Sequence, residues 1–184
     1  MTLEEWLACD LDELCHLARR IDPRQAASFC DLLLDSHRVF VTGKGRTGLA
    51  MEMFAMRLMQ LGLEAFVVGE ATTPAIGPGD TLVAASGSGE TAGVLAVATR
   101  ARQAGARIAV VTAQPASSLG RMADHLLFLP GETTKVNLEQ SSRLPLGSVL
   151  EQALLVLVDS VSAHLAERMG RTNASMMARH ANLE

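Results

Sequence analysis

A segment rich in glycine and hydroxyl side chains, Ser-Gly-Ser-Gly-Glu-Thr at 86–91, carries the strongest chemical signal in the sequence. It lies between an apolar run that is typical of a buried strand and a pattern that is typical of a helix. A helix N-terminus presents unpaired backbone N–H groups and a partial positive charge, and both attract anions. The hydroxyls of Ser86, Ser88 and Thr91 add donors at the same point, so the segment predicts a cradle for a phosphate monoester.

Two other interpretations of this segment are a nucleotide-binding loop and a plain helix cap. No lysine follows the second glycine, which distinguishes the segment from the P-loop of nucleotide-binding proteins. As a cap, Ser88 would bind the helix end with Thr91 nearby, since one hydroxyl is enough for capping. Three hydroxyls and two glycines in six residues exceed that need, so a small phosphorylated substrate is the favoured ligand.

A second glycine-rich segment, Gly-Lys-Gly-Arg-Thr-Gly at 43–48, also follows a strand pattern and precedes a helix pattern. It matches the G-x-G-x-x-G fingerprint of dinucleotide-binding proteins, which keeps an oxidoreductase as one alternative. A tight strand-to-helix turn that needs glycine is another. We interpret the segment as the second wall of one sugar-phosphate pocket, in which Arg46 and Thr47 are polar contacts and Lys44 either adds charge or is solvated.

Glu151 is a carboxylate in the first turn of a long helical pattern that is apolar on nearly every face. With Ser148 three residues earlier it fits a capping box, which is one interpretation. A general base is the other, and the two roles do not exclude each other. His180 lies near the C-terminus, where the pattern alone predicts no role for a histidine.

Short apolar strands alternate with helices along the chain, which predicts an α/β fold with a parallel sheet between two helical layers. The predicted strands are 38–42, 65–68, 81–85, 107–112 and 125–129, and the predicted helices are 3–20, 23–36, 45–61, 92–104, 117–123 and 145–168. With the flavodoxin-like strand order 2-1-3-4-5, both glycine-rich loops meet where the strand order reverses, which is where such folds bind ligands. The polar segment 131–143 precedes the last long helix and is expected to affect specificity.

Composition limits the domain organisation, the partners and the cellular location that can be expected of this protein. The 184 residues, 48% of them apolar and 20% charged, predict one globular domain over 1–184. Helical patterns occupy its N-terminal part, 1–37, and its last part, 171–184, is a tail. A net charge of −4 argues against nucleic acid or an anionic membrane as partner. No run of 18 apolar residues occurs, so no membrane span is expected. Without a signal-peptide pattern, and with Cys9, Cys15 and Cys30 interpreted as reduced thiols, the predicted location is the cytoplasm.

Five features together resemble the 6-phospho-3-hexuloisomerases, a branch of the sugar isomerase (SIS) domain family. They are the two glycine-rich segments, the segment 56–62, Pro-Leu-Gly at 145–147 with Glu151, and the ending Arg-His-Ala-Asn-Leu-Glu at 179–184. The resemblance implies a five-stranded parallel sheet, a homotetramer with active sites at subunit interfaces, and no metal or organic cofactor. It also implies interconversion of D-arabino-hex-3-ulose 6-phosphate and fructose 6-phosphate, in formaldehyde fixation by the ribulose monophosphate pathway.

The resemblance also assigns roles to residues at matching positions. By these assignments the phosphate is held by Ser86, Ser88 and Thr91, and the sugar is lined by Gly45, Arg46 and Thr47. The base is Glu151, and His180 is a second acid/base or a ligand contact. The tail 171–184 that carries His180 packs on its own domain or on a neighbouring subunit. Lys44 departs from the pattern, because many relatives carry a small residue there. Another sugar-phosphate isomerase, for example one acting on arabinose 5-phosphate, and a non-catalytic sugar-phosphate-binding protein stay open as alternatives.

Overall fold

A computed structural model of the chain describes residues 1–131 and 142–183. The predicted specificity segment 131–143 lies mostly outside these ranges, as does the last residue. In the described part, five parallel strands form one sheet with the order β2-β1-β3-β4-β5, which confirms the predicted topology. The strands are β1 (Val39–Thr42), β2 (Ala65–Val67), β3 (Thr81–Ala85), β4 (Arg107–Thr112) and β5 (His125–Phe128).

Helices cover both faces of this sheet. They are α1 (Leu3–Ala18), α2 (Pro23–Leu34), α3 (Arg46–Leu61), α4 (Ala92–Gln103), α5 (Ser118–Arg121), α6 (Ser148–Arg168) and α7 (Asn173–Met177). A single 3₁₀ turn, Pro145–Gly147, precedes α6. The prediction of one helix from residue 145 is therefore wrong by three residues, because Leu146 and Gly147 both take left-handed backbone conformations that end a regular helix.

Two apolar layers result from the alternation of side chains along the strands. Val39 and Val41 of β1 face the layer formed with α1, α2, α3 and α6, whereas Phe40 faces the layer formed with α4 and α5. Within the first layer Phe29 of α2 and Phe54 of α3 are fully buried and stack at 6.4 Å between ring centroids. Burial of this kind stabilises the fold by about 1.5–3 kcal/mol per large side chain.

The helix α6 is the central element of the larger layer. By length and composition the stretch Pro145–Arg168 is apolar enough to cross a membrane, yet half of its most hydropathic window is buried inside the protein. It packs against α3 and α1 through side chains such as Leu154, Leu157 and Val161. Its apolar character is thus explained by its place in the core of an α/β fold.

The C-terminal helix α7 lies against α3. Its Met176 packs on the larger apolar layer, whereas the residues that follow it are exposed. His180 lies in this exposed stretch.

Candidate active site

The two glycine-rich loops and the start of α6 enclose a crevice of about 230 Å³ at the carboxyl ends of β1 and β3. Its lining residues are Lys44, Gly45, Arg46, Thr47, Ala85, Ser86, Gly87, Ser88, Thr91, Leu146, Gly147, Leu150 and Glu151. The fold therefore brings together every residue predicted for the site except His180. A larger cavity of about 350 Å³ beside α1 contains none of them, and Gly131 and Ser142, which flank the undescribed residues, border it.

Hydrogen bonds of its own hydroxyls join residues within the loop at 86–91. The Oγ of Ser86 accepts a hydrogen bond from the backbone N–H of Gly89 at 3.1 Å and lies 3.0 Å from the Oγ1 of Thr91. Thr91 occupies the N-cap position of α4, yet its side chain makes no cap hydrogen bond in the described structure. Ser88 instead accepts from the N–H of Glu90, ahead of the helix. The cap interpretation therefore fails, and the N-terminus of α4 faces the crevice without a side-chain cap.

The outer side of this loop is fixed to α5. The sequence predicted this helix but not its contact with the loop. The Glu90 carboxylate accepts a hydrogen bond from the backbone N–H of Ser118 at 2.7 Å. Hydrogen bonding to the backbone and side chain of Ser118, together with the charge of Arg121, lowers the pKa of Glu90. Gly89 adopts φ +65°, and a Cβ at this position would lie 1.9 Å from the Oγ of Ser117. The loop geometry thus depends on a glycine and on a carboxylate that points away from the crevice.

The loop at 43–48 is a close turn as well as a wall of the crevice. A Cβ on Gly43 would lie 3.0 Å from the backbone of Gly48, and Gly45 has φ +61° at the N-cap of α3. The need for a tight strand-to-helix turn therefore explains glycine at both positions, as one interpretation of the pattern proposed. Arg46 and Thr47 follow in the first turn of α3 and line the crevice.

Glu151 does not form the predicted capping box. The N-cap of α6 is Gly147, and the Oγ of Ser148 donates to the carbonyl of Pro145 at 2.6 Å instead. The Glu151 carboxylate accepts from the Nε of Arg46 across the crevice and forms an ion pair with it. Only 22% of the Glu151 side chain is exposed, against 62% for Arg46, so the carboxylate is the more sheltered partner.

The start of α6 is tied to α1 on both sides of the 3₁₀ turn. Glu13 accepts from the Oγ of Ser142 at 2.6 Å and from the N–H of Arg143 at 2.9 Å. Burial raises the pKa of Glu13, but these hydrogen bonds outweigh it, and the resulting pKa lies below the ordinary value. Gln152, next to Glu151, donates to Asp10 at 2.9 Å. The helix α1 therefore fixes the position from which Glu151 projects.

His180 is not among the residues that line the crevice. Its Nδ1 lies 3.0 Å from the carbonyl of Ala181 in the exposed stretch after α7. A single chain thus does not bring the second predicted acid/base to the site. Among the described residues, no group of three or more His, Cys, Asp or Glu side chains is arranged to hold a metal ion.

Comparisons with known proteins agree with this geometry. The family model of the SIS domain matches residues 32–156. A Bacillus subtilis protein named 3-hexulose-6-phosphate isomerase is 38% identical over the full length of both chains, 100% of each. A Mycobacterium gastri protein of the same name is 42% identical over 94% of this chain and 87% of its own.

A solved structure from Methanococcus jannaschii adds a relative with known coordinates. It superposes with a TM-score of 0.85 at 30% identity, over 98% of this chain and 99% of that one. From that crystal structure, the molecular function of the Methanococcus jannaschii protein was inferred to be that of a 3-hexulose-6-phosphate isomerase.

Proposed function

The chain belongs to the SIS domain family, and from this premise we propose that it interconverts D-arabino-hex-3-ulose 6-phosphate and fructose 6-phosphate. Relatives named 3-hexulose-6-phosphate isomerase are similar to this chain over nearly its whole length. The chain is therefore a sugar phosphate isomerase. The observation that carries the proposal is the crevice, because it joins a cradle for a phosphate to a sheltered carboxylate.

In this proposal the phosphate binds in the loop at 86–91. Ser86, Ser88 and Thr91 surround the N-terminus of α4, whose partial positive charge favours a phosphate dianion. Binding energy at the phosphate orients the reacting carbons and lowers the entropic part of the barrier. Gly45 and Thr47 line the sugar on the opposite wall.

The reaction moves a carbonyl between carbons 3 and 2 of the sugar. Glu151 removes the proton from carbon 2, and the electron pair forms an enediolate across the two carbons. The proton returns to carbon 3 while the two oxygens exchange theirs, so no atom is gained or lost. Arg46 is already paired with the carboxylate, and its remaining N–H groups are suited to stabilise the developing oxyanion.

We further propose a homotetramer in which the C-terminal stretch of a neighbour supplies His180. Two exposed apolar stripes support this assembly, since large exposed apolar patches mark interaction surfaces. Along α1 the stripe consists of Leu3, Leu7 and Leu11, and along α3 it consists of Leu49, Met53 and Met56. A cytoplasmic location and a place in formaldehyde fixation by the ribulose monophosphate pathway complete the proposal.

A coupled assay tests the reaction directly. The purified protein receives hex-3-ulose 6-phosphate, and fructose 6-phosphate is followed through phosphoglucose isomerase and a dehydrogenase. The expected result is rapid conversion by the wild type and conversion at least about 100-fold slower by Glu151→Gln prepared in parallel. The variant controls for contaminating isomerases, because its surface and purification are nearly identical.

A folded protein that binds phosphosugars but does not convert this substrate would contradict the proposal. Pentose and heptose phosphates would then be assayed in the same way, starting with arabinose 5-phosphate. Binding without turnover of any of them would indicate a sugar-phosphate-binding protein.

A further inference from the structure

Among the described residues, two cationic side chains, Lys44 and Arg46, line the crevice, and only one of them is paired with a carboxylate. Arg46 forms an ion pair with Glu151. None of the ion pairs among the described residues includes Lys44, whose side chain is exposed at the rim. Lys44 therefore gives the crevice a positive charge that no protein carboxylate in the described part of the chain neutralises.

The Lys44 side chain extends towards the N-terminus of α4. Gly93 is the second residue of that helix, and a Cβ built on it would lie 3.4 Å from the Cε of Lys44. Since Nζ is bonded directly to Cε, the ammonium group lies beside the helix end that the loop at 86–91 surrounds. An ammonium group and the positive end of a helix repel each other, and an anion between them removes that repulsion.

We propose that Lys44 binds the substrate phosphate and sets the preference of the crevice for phosphorylated over unphosphorylated sugars. The inference rests on the proposed function, because it assigns the phosphate to the loop at 86–91. In that arrangement the hydroxyls and backbone N–H groups of the loop supply directional hydrogen bonds, and Lys44 supplies the full charge. Glu151 acts at the other end of the sugar, so loss of Lys44 should weaken ligand affinity and lower kcat/KM without removing the base.

Isothermal titration with fructose 6-phosphate tests this role in three variants. Lys44→Met removes the charge and keeps the length of the side chain, whereas Lys44→Arg keeps the charge. Arg100→Met removes one positive charge from an exposed position near the end of α4 away from the crevice. It is therefore the control for net charge alone.

We expect Lys44→Met to weaken binding about tenfold at low salt, which is typical of one charge-assisted hydrogen bond. Its affinity should also depend less on salt than that of the wild type, because one ionic contact is missing. Lys44→Arg and Arg100→Met should bind fructose 6-phosphate within about twofold of the wild-type affinity, because the first keeps the charge and the second lies away from the crevice.

Wild-type affinity and wild-type salt dependence in Lys44→Met would overturn the inference. A wild-type protein that fails to bind fructose 6-phosphate would instead contradict the proposed function. The same four proteins would then be titrated with inorganic phosphate, where Lys44→Met must still bind more weakly than Lys44→Arg. Equal binding of phosphate by all four would overturn the role of Lys44 independently of the sugar.

Discussion

Glu151 and Arg46 lie 105 residues apart in the sequence, yet they form the polar contact that crosses the crevice. The pattern of residue types predicted that both belong to the site, and both line the crevice, but it did not predict their pairing. The capping box was the natural local interpretation of Ser148 and Glu151, and it is wrong because Gly147 takes a left-handed conformation at the N-cap. Pairings of this kind depend on tertiary structure, so a local motif does not predict them.

Replacement of Glu151 by glutamine should lower kcat by at least about 100-fold, as removal of a general base typically does. The melting temperature should change little, because a partly exposed ion pair contributes at most about 1 kcal/mol. Steady-state kinetics and thermal unfolding of the same preparation measure both effects. Near-normal turnover in a folded Glu151→Gln protein would exclude Glu151 as the base.

The loop at 86–91, which we propose binds the phosphate, is fixed by contacts on its outer side. The glycines of this loop predicted a tight connection between strand and helix. The sequence did not reveal that Gly89 lies against Ser117 or that Glu90 binds the start of α5. The positions of strands and helices, by contrast, follow from hydrophobic periodicity and were predicted to within a few residues. The strand order was taken from the flavodoxin-like fold class that this alternation of strands and helices favours. Periodicity is local, whereas the fit between two loops depends on how the strands bring them together.

Gly89→Ala should destabilise the protein by about 2 kcal/mol or more, because an added Cβ meets Ser117 and the left-handed conformation disfavours alanine. Gly77→Ala is the matched control, since a Cβ at Gly77 has no neighbour within 4 Å. Urea unfolding at equilibrium measures both variants. Equal midpoints for the two would show that the loop adapts to the added methyl group.

The contact between α1 and the start of α6 should make stability depend on pH. The folded-state pKa of Glu13 is lowered, so its contribution is present above the ordinary pKa near 4.5 and is lost as the pH falls through the folded-state value. Glu13→Gln should therefore be less stable than the wild type at neutral pH, by at most about 1 kcal/mol because solvent screens the carboxylate.

The difference between Glu13→Gln and the wild type should disappear in acid, where protonated Glu13 resembles glutamine. Unfolding free energies measured from neutral pH downwards give the curve. A difference that stays constant across this range would show that the hydrogen bonds from Ser142 and Arg143 do not depend on the charge of Glu13.

At the scale of the whole molecule, the exposed stripe on α3 predicts an assembly. Met53 is 45% exposed between Leu49 and Met56, so Met53→Glu should place a charge inside the proposed interface. We expect the variant to elute as a smaller species in size-exclusion chromatography with light scattering, and to lose activity if a neighbour supplies His180. Thr99→Glu adds the same charge on the exposed surface of α4 and is the control.

A wild-type protein that is monomeric and fully active would contradict both the tetramer and the role of His180 across subunits. The sequence indicated assembly only through the family resemblance. Exposure of the two stripes becomes visible once the helices are placed on the sheet, because apolar residues at helical spacing are equally typical of a buried face.

The packing of α1 on α6 also has a consequence for biosynthesis. The ribosome produces α1 well before α6, so the nascent chain holds α1, α2, α3 and the sheet before the helix that completes their common apolar layer exists. A chain that stalls or is cleaved ahead of Ser148 leaves that layer uncovered and lacks Glu151 as well. Truncated products should therefore be inactive, and chaperones and proteases should readily recognise them. Escape from this quality control depends on the synthesis of one helix, α6.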